Sequence, residues 1–403
     1  MRELDLIVFG ATGYTGRLVA EALLEFPEDG LRWAIAGRSQ EKLEAIRTAL
    51  VERFPEAASL DLVVADVSDP ESMRAMAKRT RVICTTVGPY GRLGDAVVNA
   101  CMAEGTDCCD LTGEVNWMRK NIDAHHDQAA AKGIRIVHAA GFDSIPFDIG
   151  VYALQKAATD RLGGPATTVR TITTRLKGGF SGGTVASMAL LFDGIKRDRS
   201  ILRLMGNPYA LDPGFRGPDK NDSRSVSFWT THQAWTAPFI MAGCNTRVIR
   251  RSHALLGRPW GEDFSYAEAM GTGRGLSGWF RGQVMRLGLG AFVAIMAIPF
   301  TRWAALGTVL PRPGDGPTEA QRHDGYFGAR VVGIRGDQQL SLDVIGKGDP
   351  GYLATSRMLA QTAVALAKDE LPETYGVLTP GGLMGDALLR RLPRVGIRFE
   401  VRD

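Results

Sequence analysis

The stretch LDLIVFGATGYTG, residues 4–16, decides the fold of this chain. Its first six residues form an apolar run typical of a buried strand, and apolar residues recur at helical spacing after the last glycine. The glycines between them follow a G-x-x-G-x-x-G spacing, in the strand-to-helix context of a dinucleotide-binding loop. The first permits a tight turn, the second lets the backbone approach a pyrophosphate, and the third lets helix and strand pack closely. The candidate cofactor contacts here are Gly10, Ala11, Thr12, Gly13, Tyr14, Thr15 and Gly16.

Strands and helices alternate outward from this loop as far as residue 147. Apolar runs predict strands at Leu4–Phe9, Arg32–Ala36, Leu60–Val64, Arg81–Val87, Cys108–Leu111 and Ile134–Ala139. Helices are predicted at Gly16–Leu24, Gln40–Phe54, Pro70–Lys78, Ala96–Glu104 and Ile122–Lys132. Such alternation is typical of βαβ units and a parallel sheet. Residues 1–147 are therefore predicted to form a doubly wound Rossmann domain in a protein of the α/β class.

The pattern changes in the second part of the chain. Alternating and β-branched runs predict strands at Thr167–Arg175, Ser225–Trp235, Gly325–Ile334 and Leu340–Ile345, and a long helix at Tyr352–Leu371. They indicate a second α/β (α+β) domain with a mixed or antiparallel sheet over residues 148–349. The C-terminal residues 350–403 are expected to supply helices that pack back on the first domain.

The composition narrows the class of protein. The chain has 403 residues, 45% hydrophobic and 23% charged, which is ordinary globular usage and excludes wholesale disorder. A net charge of +4 is too small to indicate nucleic acid without a concentrated basic patch. The five cysteines show neither a disulfide framework nor a zinc spacing, and no His, Asp or Glu spacing indicates a metal. Met1-Arg2-Glu3 runs into no secretory signal, so a cytoplasmic protein is expected.

The end of the second predicted strand indicates which dinucleotide binds. An NAD enzyme usually places Asp or Glu there to bind the ribose 2′-hydroxyl. This chain instead has Arg38 and Ser39, a guanidinium and a hydroxyl that suit a 2′-phosphate. The sequence therefore predicts NADP(H), with an arginine that merely ends a surface strand as the alternative.

Two further strand ends supply candidate cofactor contacts. Asp66 and Val67 follow the third strand, where they are expected to meet the adenine, although Asp66 is also a plausible local cap. Val87, Gly88 and Pro89 follow the fourth strand, at the edge where the ribose and nicotinamide normally lie.

Several segments together resemble a known family. These are GATGYTG, AGRS, TVGPYGRLGDAVVNACMAEGTDCCDLTGE, AAGFDSIPFDIG and, near the C-terminus, GYLATSRMLAQTAVALA and VLTPGGLMGDALLRRL. The combination of DLTGE (110–114) with GFDSIP (141–146) is far more specific than the glycine loop. The chain resembles the saccharopine dehydrogenase-like superfamily and, more narrowly, its mycobacterial-type trans-acting enoyl reductases.

This resemblance implies an NADP-binding Rossmann domain with a second domain over the nicotinamide. It also implies reduction of a C=C bond in an acyl or polyketide thioester, carried by a synthase in lipid assembly. The alternatives are NADP-linked oxidoreduction at a C–N or C=O centre and a non-catalytic, lipid-associated NADP-binding protein. No second carboxylate-binding cluster for an amino-diacid is evident, which disfavours the lysine-pathway activity of the superfamily.

Enoyl reduction needs a hydrogen-bond donor at the thioester oxygen and an acid for the α-carbon. The candidate catalytic residues are Tyr90, after the fourth strand, and Asp143 and Ser144, after the sixth. Each has a structural alternative, because Tyr90 can pack beside the cofactor and Asp143 can cap the helix that begins near Pro146. Glu114 is interpreted in the same way, as orienting a loop rather than reacting.

An apolar segment between arginines is the unusual feature of the second domain. It extends over residues 283–310, and Arg286 and Arg302 bracket fifteen uncharged residues that are too few to span a bilayer as a helix. Three interpretations remain: a buried helix, a wall for an acyl chain, and an interfacial helix that contacts anionic lipid through residues 279–303. The last would place the protein peripherally on the inner face of the plasma membrane. The sequence leaves a homodimer open.

Overall fold

The computed structural model describes residues 2–178, 182–305 and 316–402, so residues 306–310 of the predicted apolar segment lie outside the described residues. The strands are Leu4–Phe9 (β1), Trp33–Gly37 (β2), Asp61–Val64 (β3), Thr80–Thr85 (β4), Asp107–Asp110 (β5), Arg135–Val137 (β6), Thr168–Lys177 (β7), Ser227–Trp229 (β8), Ala234–Ala237 (β9), Ser265–Gly273 (β10), Tyr326–Arg335 (β11), Gln338–Lys347 (β12), Gly376–Leu378 (β13) and Ile397–Arg402 (β14). The helices are Tyr14–Glu25 (α1), Gln40–Val51 (α2), Pro70–Arg79 (α3), Tyr90–Glu104 (α4), Val115–Lys132 (α5), Ile145–Leu162 (α6), Gly182–Arg197 (α7), Ser200–Gly206 (α8), Ala242–Leu255 (α9), Gly275–Ala297 (α10), Pro299–Ala305 (α11), Glu319–His323 (α12), Leu353–Lys368 (α13) and Pro380–Arg391 (α14).

The first sheet is entirely parallel, in the order β13-β6-β5-β4-β1-β2-β3. Every residue of β1 is buried, because helices cover both faces of such a sheet and a continuous apolar run is needed there. The strand order reverses between β1 and β4, and ligands bind in the crevice beyond the strand ends at such a point. The glycine loop (residues 10–16) and the β4–α4 loop (residues 86–89) both open at this crevice.

The second sheet is mixed, in the order β14-β12-β11-β7-β10-β9-β8. β7 and β10 are parallel neighbours, whereas the other neighbouring pairs are antiparallel. The predicted fold class, a Rossmann sheet with a second α/β domain, is therefore confirmed.

The C-terminal residues 350–403 contribute a strand to each of the two sheets. α13 is almost entirely buried against α1 and β4, and β13 pairs with β6 as the seventh strand of the first sheet. β14 instead pairs with β12 at the edge of the second sheet. The C-terminus thus fastens the two sheets together.

One predicted strand was wrong. The run Ser225–Trp235 forms two short antiparallel strands, β8 and β9, because the chain turns between them. Gln233 has a left-handed φ of 50° in that turn, which the β-branched and aromatic composition of the run does not reveal.

Candidate active site

The glycine loop has the geometry of a phosphate cradle. Gly10 has φ +93°, and a Cβ there would lie 2.8 Å from atoms of both Thr86 and Val87. A Cβ on Gly16 would lie 2.2 Å from the carbonyl oxygen of Gly10, so no side chain fits between the helix and the loop. The N–H of Gly13 donates to that carbonyl over 2.9 Å, and α1 begins at the next residue. The free N–H groups of the first turn of α1 would hold a pyrophosphate.

The other loop residues are held against neighbouring strand ends. The N–H of Ala11 donates to the carbonyl of Ala36, and Thr12 lies within 3.5 Å of the position a Cβ would take on Gly37. Thr15 lines the cleft described below. These contacts fix the backbone between β1 and α1.

Tyr14 ties the glycine loop to a segment far away in the sequence. Its hydroxyl donates to the carbonyl of Pro317 over 2.5 Å and accepts from the Arg322 guanidinium over 2.6 Å. The same guanidinium lies 5.6 Å from the centre of the Tyr14 ring. Sequence reasoning missed Arg322, because nothing in its local sequence signals a partner 308 positions away.

Arg38 and Ser39 lie where β2 ends. The Arg38 side chain is exposed, as a group that meets a ligand phosphate from solvent would be. Ser39 accepts a hydrogen bond from the N–H of Lys42 and caps α2, so part of its role is structural. The guanidinium remains the better of the two candidates for a 2′-phosphate.

Asp66 and Val67 follow β3. The Asp66 carboxylate accepts hydrogen bonds from the N–H of Ser68 over 2.8 Å and from its hydroxyl over 2.7 Å. The first of these hydrogen bonds is the main reason that the pKa of Asp66 is lowered, and the charge of Arg38 adds to it. Asp66 therefore shapes its own turn, while Val67 is half-buried against the core.

Tyr90 begins α4 directly after the β4–α4 loop. Its hydroxyl donates to the carbonyl of Thr85 over 3.2 Å, and its ring stacks on Trp117 with centroids 5.6 Å apart. Burial raises the pKa of Tyr90 well above its usual value. This geometry favours the packing interpretation of Tyr90. Val87, at the start of the loop, donates its N–H to the Thr85 hydroxyl.

Glu114 orients the β4–α4 loop. Its carboxylate accepts hydrogen bonds from the N–H groups of Tyr90 (2.9 Å) and Gly91 (2.8 Å), at the start of α4. It also accepts one from the hydroxyl of Ser187 on α7 (2.7 Å). Glu114 thereby joins the loop beside the nicotinamide position to the opposite wall of the cleft. The sequence suggested the orienting role but gave no sign of Ser187.

Asp143 and Ser144 lie in different environments. Asp143 lines the cleft, and within the described part of the chain no hydrogen bond reaches its carboxyl group. Burial alone raises the pKa of Asp143 to about 6. Ser144, the next residue, is fully buried, and its hydroxyl lies 3.3 Å from the amide oxygen of Asn245.

Asn245 links Ser144 to the buried carboxyl group of Glu268. The side-chain amide of Asn245 donates to Glu268 over 2.7 Å, and the hydroxyl of Tyr266 donates to Glu268 over 3.0 Å. Burial raises the pKa of Glu268 to about 8, so this carboxyl group is largely protonated at neutral pH. Sequence reasoning missed this cluster, because its members come from α9 and β10 and meet only in the folded chain.

A cleft of about 680 Å³ lies between the two sheets. Of the predicted site residues it brings together Gly13, Tyr14, Thr15, Gly16, Gly88, Pro89, Tyr90 and Asp143. The other predicted residues lie outside its lining. The wall opposite the cofactor loops is apolar, and α7 and α10 supply Met188, Leu191, Phe192, Phe292 and Val293. Among the described residues, the charged side chains that line it are Arg92, Glu114 and Asp143.

Helix α10 is not a core helix. It carries most of the predicted apolar segment, yet only Gly278, Gly282 and Met296 are buried, so the buried-helix interpretation is wrong. Within the described ranges it is the one helix long and apolar enough to cross a membrane by length and composition. In those same ranges no group of three or more His, Cys, Asp or Glu residues could hold a metal ion.

The class of protein follows from this geometry and from two comparisons. Residues 6–137 match the family model of the saccharopine dehydrogenase NADP-binding domain. Apo saccharopine dehydrogenase (L-Glu forming) from Saccharomyces cerevisiae has a similar fold, with a TM-score of 0.52 at 13% identity over 99% of both chains. The protein is an NADP(H)-dependent oxidoreductase with a saccharopine dehydrogenase-like fold, and the predicted cofactor is confirmed.

Two curated relatives define the family. A candidate trans-acting enoyl reductase of Mycobacterium tuberculosis is 42% identical to this chain over 99% of it and 97% of the relative. The trans-acting enoyl reductase of Mycobacterium ulcerans is 36% identical over 98% and 97%, respectively. The chain belongs to the trans-acting enoyl reductase family, as the resemblance predicted.

Proposed function

We propose that this protein reduces the C=C bond of an α,β-unsaturated acyl or polyketide thioester with NADPH. The observation that carries the proposal is the two-sided cleft. One side has the cofactor loops, the other is an apolar wall, and Asp143, whose pKa is raised, lines the same cleft. An apolar wall binds a hydrocarbon chain, and a carboxyl group whose pKa is raised by burial to about 6 keeps a protonated fraction near neutral pH that can act as a general acid.

Different residues of the cleft bind the cofactor, donate the proton and position the β4–α4 loop. The N–H groups at the start of α1 and the Arg38 guanidinium would hold NADPH, which supplies a hydride to the β-carbon when bound. The electron pair of the C=C bond then moves towards the thioester oxygen. Asp143 gives its proton to the α-carbon, and the carboxylate that remains takes a proton from water. Glu114 positions the β4–α4 loop and does not react.

Oxidoreduction at a C–N or C=O centre of an amino-diacid is the competing function. Such a substrate carries carboxylates that need cationic partners in the site. Arg92 is the one cationic side chain that lines the cleft in the described part of the protein, and it is exposed at the start of α4. The lining therefore favours an acyl chain over a multiply charged substrate.

The test is NADPH oxidation, followed by stopped flow, with enoyl thioesters of increasing chain length. Burial of each methylene contributes about 0.8 kcal/mol, so kcat/KM should rise about fourfold per methylene until the wall is covered. The saturated thioester of the same length is the matched control and should give no oxidation. Oxidation seen only with imines or keto acids would reject enoyl reduction and favour the competing function.

We also propose that the enzyme works peripherally at the inner, cytoplasmic face of the plasma membrane, on thioesters that a synthase carries. Long acyl chains partition into lipid, so a reductase of such chains benefits from lying beside a bilayer. Exposed apolar residues of the 279–303 segment support the membrane contact, since Phe280 is 64% and Trp303 is 74% exposed. A homodimer formed through the same segment is the competing arrangement.

A further inference from the structure

Helices α10 and α11 present large apolar side chains to solvent. Leu276 is 87% exposed, Leu287 is 65% exposed, and Phe300 and Trp303 are each 74% exposed. The α10–α11 apolar surface, as we define it, consists of Leu276, Phe280, Val284, Leu287, Phe300 and Trp303. Large apolar side chains exposed together on neighbouring helices mark a site of contact with a partner or a membrane.

The opposite face of α10 is fastened to the second sheet. A Cβ on Gly278 would lie 2.5 Å from the carbonyl oxygen of Gly273, and one on Gly282 would lie 2.8 Å from Val226. These glycines let the helix pack closely against the protein along one side. Because one side is covered by protein, α10 cannot be surrounded by lipid and must lie along a surface rather than through a bilayer.

Arginines border the outward face on both sides. At about 100° per residue, Leu276, Phe280, Val284 and Leu287 fall within about 80° of one another, opposite Gly278 and Gly282. Arg281 and Arg286 fall about 100–120° from the centre of that stripe, one on each side. Both arginines are exposed, and residues 269–305 contain no Asp, Glu or Lys. Such an arrangement suits a helix whose apolar stripe enters a leaflet while guanidinium groups reach anionic headgroups.

Arg302 flanks the apolar segment in the sequence, but it forms an ion pair within the protein. Its guanidinium pairs with both carboxylate oxygens of Asp193 on α7, each at 3.0 Å. This ion pair holds α11 against the wall of the cleft and leaves Phe300 and Trp303 turned outward. Both ends of the surface are therefore anchored to the protein.

We infer that α10 and α11 lie flat on an anionic lipid leaflet, with the α10–α11 apolar surface inserted and Arg281 and Arg286 on the headgroups. A symmetric dimer through this face would bring these arginines close to those of the second copy. The stretch has no acidic residue to offset that repulsion. An anionic leaflet supplies the missing negative charge.

This orientation places the cleft beside the acyl chains of the leaflet. Phe292 and Val293, on the same helix, line the cleft, so the helix that contacts lipid also forms the wall of the site. On the proposed function, which this step assumes, a lipid-partitioned acyl chain passes from the leaflet to the cleft along α10. An acyl chain dissolved in water does not reach the cleft through the leaflet, so membrane binding does not help its entry.

The experiment is flotation of the full-length protein with phosphatidylcholine vesicles, with and without phosphatidylglycerol. The double variant Phe280→Asp/Leu287→Asp removes the apolar contact, and Leu202→Asp makes the same change on α8, where Leu202 is 59% exposed. We expect the wild type and Leu202→Asp to float with the anionic vesicles and the double variant to stay in solution. Arg281→Gln and Arg286→Gln should each weaken binding about fivefold at low salt. NADPH affinity should be the same in all variants.

Other outcomes would overturn this inference. Loss of binding in Leu202→Asp equal to that in the double variant would show that the surface is not the contact. The wild type could instead fail to bind vesicles and form a dimer, with the double variant remaining a monomer. That result would assign the surface to contact with a second copy of the chain. Flotation is measured without any substrate, so failure of enoyl turnover would reject the proposed function and leave the lipid contact standing.

Discussion

The two sides of the cleft are built from opposite kinds of surface. On the cofactor side, backbone groups are bound to one another or to Glu114, and Gly16 packs against Gly10 with no room for a side chain. On the substrate side, α7 and α10 offer apolar side chains such as Leu191 and Phe292, which make no directional bonds. One side thus holds a fixed geometry, whereas the other can accommodate chains of varied shape.

Two carboxyl groups of the cleft, those of Glu114 and Asp143, also differ in how they are held by hydrogen bonds. Glu114 accepts three hydrogen bonds, which hold its carboxylate in one position. Asp143 has none within the described residues, and its pKa is raised to about 6 by burial. Environment rather than residue type therefore separates a positioning carboxylate from a proton donor.

The largest effect is expected from Asp143→Asn. Loss of a general acid typically costs about 10²–10⁴-fold in rate, and kcat should fall accordingly while the Kd for NADPH stays unchanged. Because the acid form is the active one, wild-type activity should fall as pH rises through about 6, and the variant should lose this dependence. Asp386→Asn, at an exposed residue paired with Lys156, is the matched control. An unchanged kcat would remove Asp143 from the mechanism.

Gly16→Ala tests the rigidity of the cofactor side. The new methyl group would meet the Gly10 carbonyl oxygen at 2.2 Å, so the loop must shift. Overpacking of this kind costs about 1–3 kcal/mol, and we expect NADPH affinity to fall up to about a hundredfold. Gly206→Ala is the control, because among the described residues no atom outside its own turn of helix lies within 4 Å of a Cβ there. Fluorescence titration with NADPH measures both. Equal affinities would mean that the loop can adapt.

The contrast between the two sides also explains what the sequence could predict. The first sheet was predicted almost strand for strand, because a buried parallel strand needs a continuous apolar run such as residues 4–9. The carboxyl ends of these strands then placed the glycine loop, Arg38 and the β4–α4 loop at one edge. Asp143 was placed there in the same way, since it follows β6.

The second half was harder because some of its helices bury charged residues and others expose apolar ones. α9 escaped prediction because it buries Arg247 and Arg250, which a pattern interprets as a solvent-facing side. These arginines pair with Asp222 and Asp219 from a distant loop. α7, which forms the substrate wall, likewise gave no recognised signal. Partners such as Ser187 for Glu114 depend on three-dimensional packing, so no local pattern could have indicated them.

Arg38→Asp tests whether the cofactor side also sets the choice of dinucleotide. A charged hydrogen bond to the 2′-phosphate contributes about 1.5–3 kcal/mol, so preference should move about ten- to a hundredfold from NADPH towards NADH. The ratio of kcat/KM for the two cofactors measures the change. Arg390→Asp makes the same charge change at an exposed position on α14 and should leave the ratio as it is. An unmoved ratio in Arg38→Asp would assign 2′-phosphate binding to another residue.

The smallest effect is expected where the two sides of the cleft touch. Ser187→Ala removes the hydroxyl of α7 that donates to Glu114 over 2.7 Å, while the bonds from Tyr90 and Gly91 to that carboxylate remain. One hydrogen bond contributes about 0.5–1.5 kcal/mol, which corresponds to about two- to tenfold. If the bond aligns the substrate wall with the β4–α4 loop, the loss should appear in KM for the thioester and spare NADPH affinity. Ser187→Thr keeps a hydroxyl and should restore KM. A fall in NADPH affinity would instead mean that Ser187 supports the cofactor side alone, and that the two sides are not coupled through Glu114.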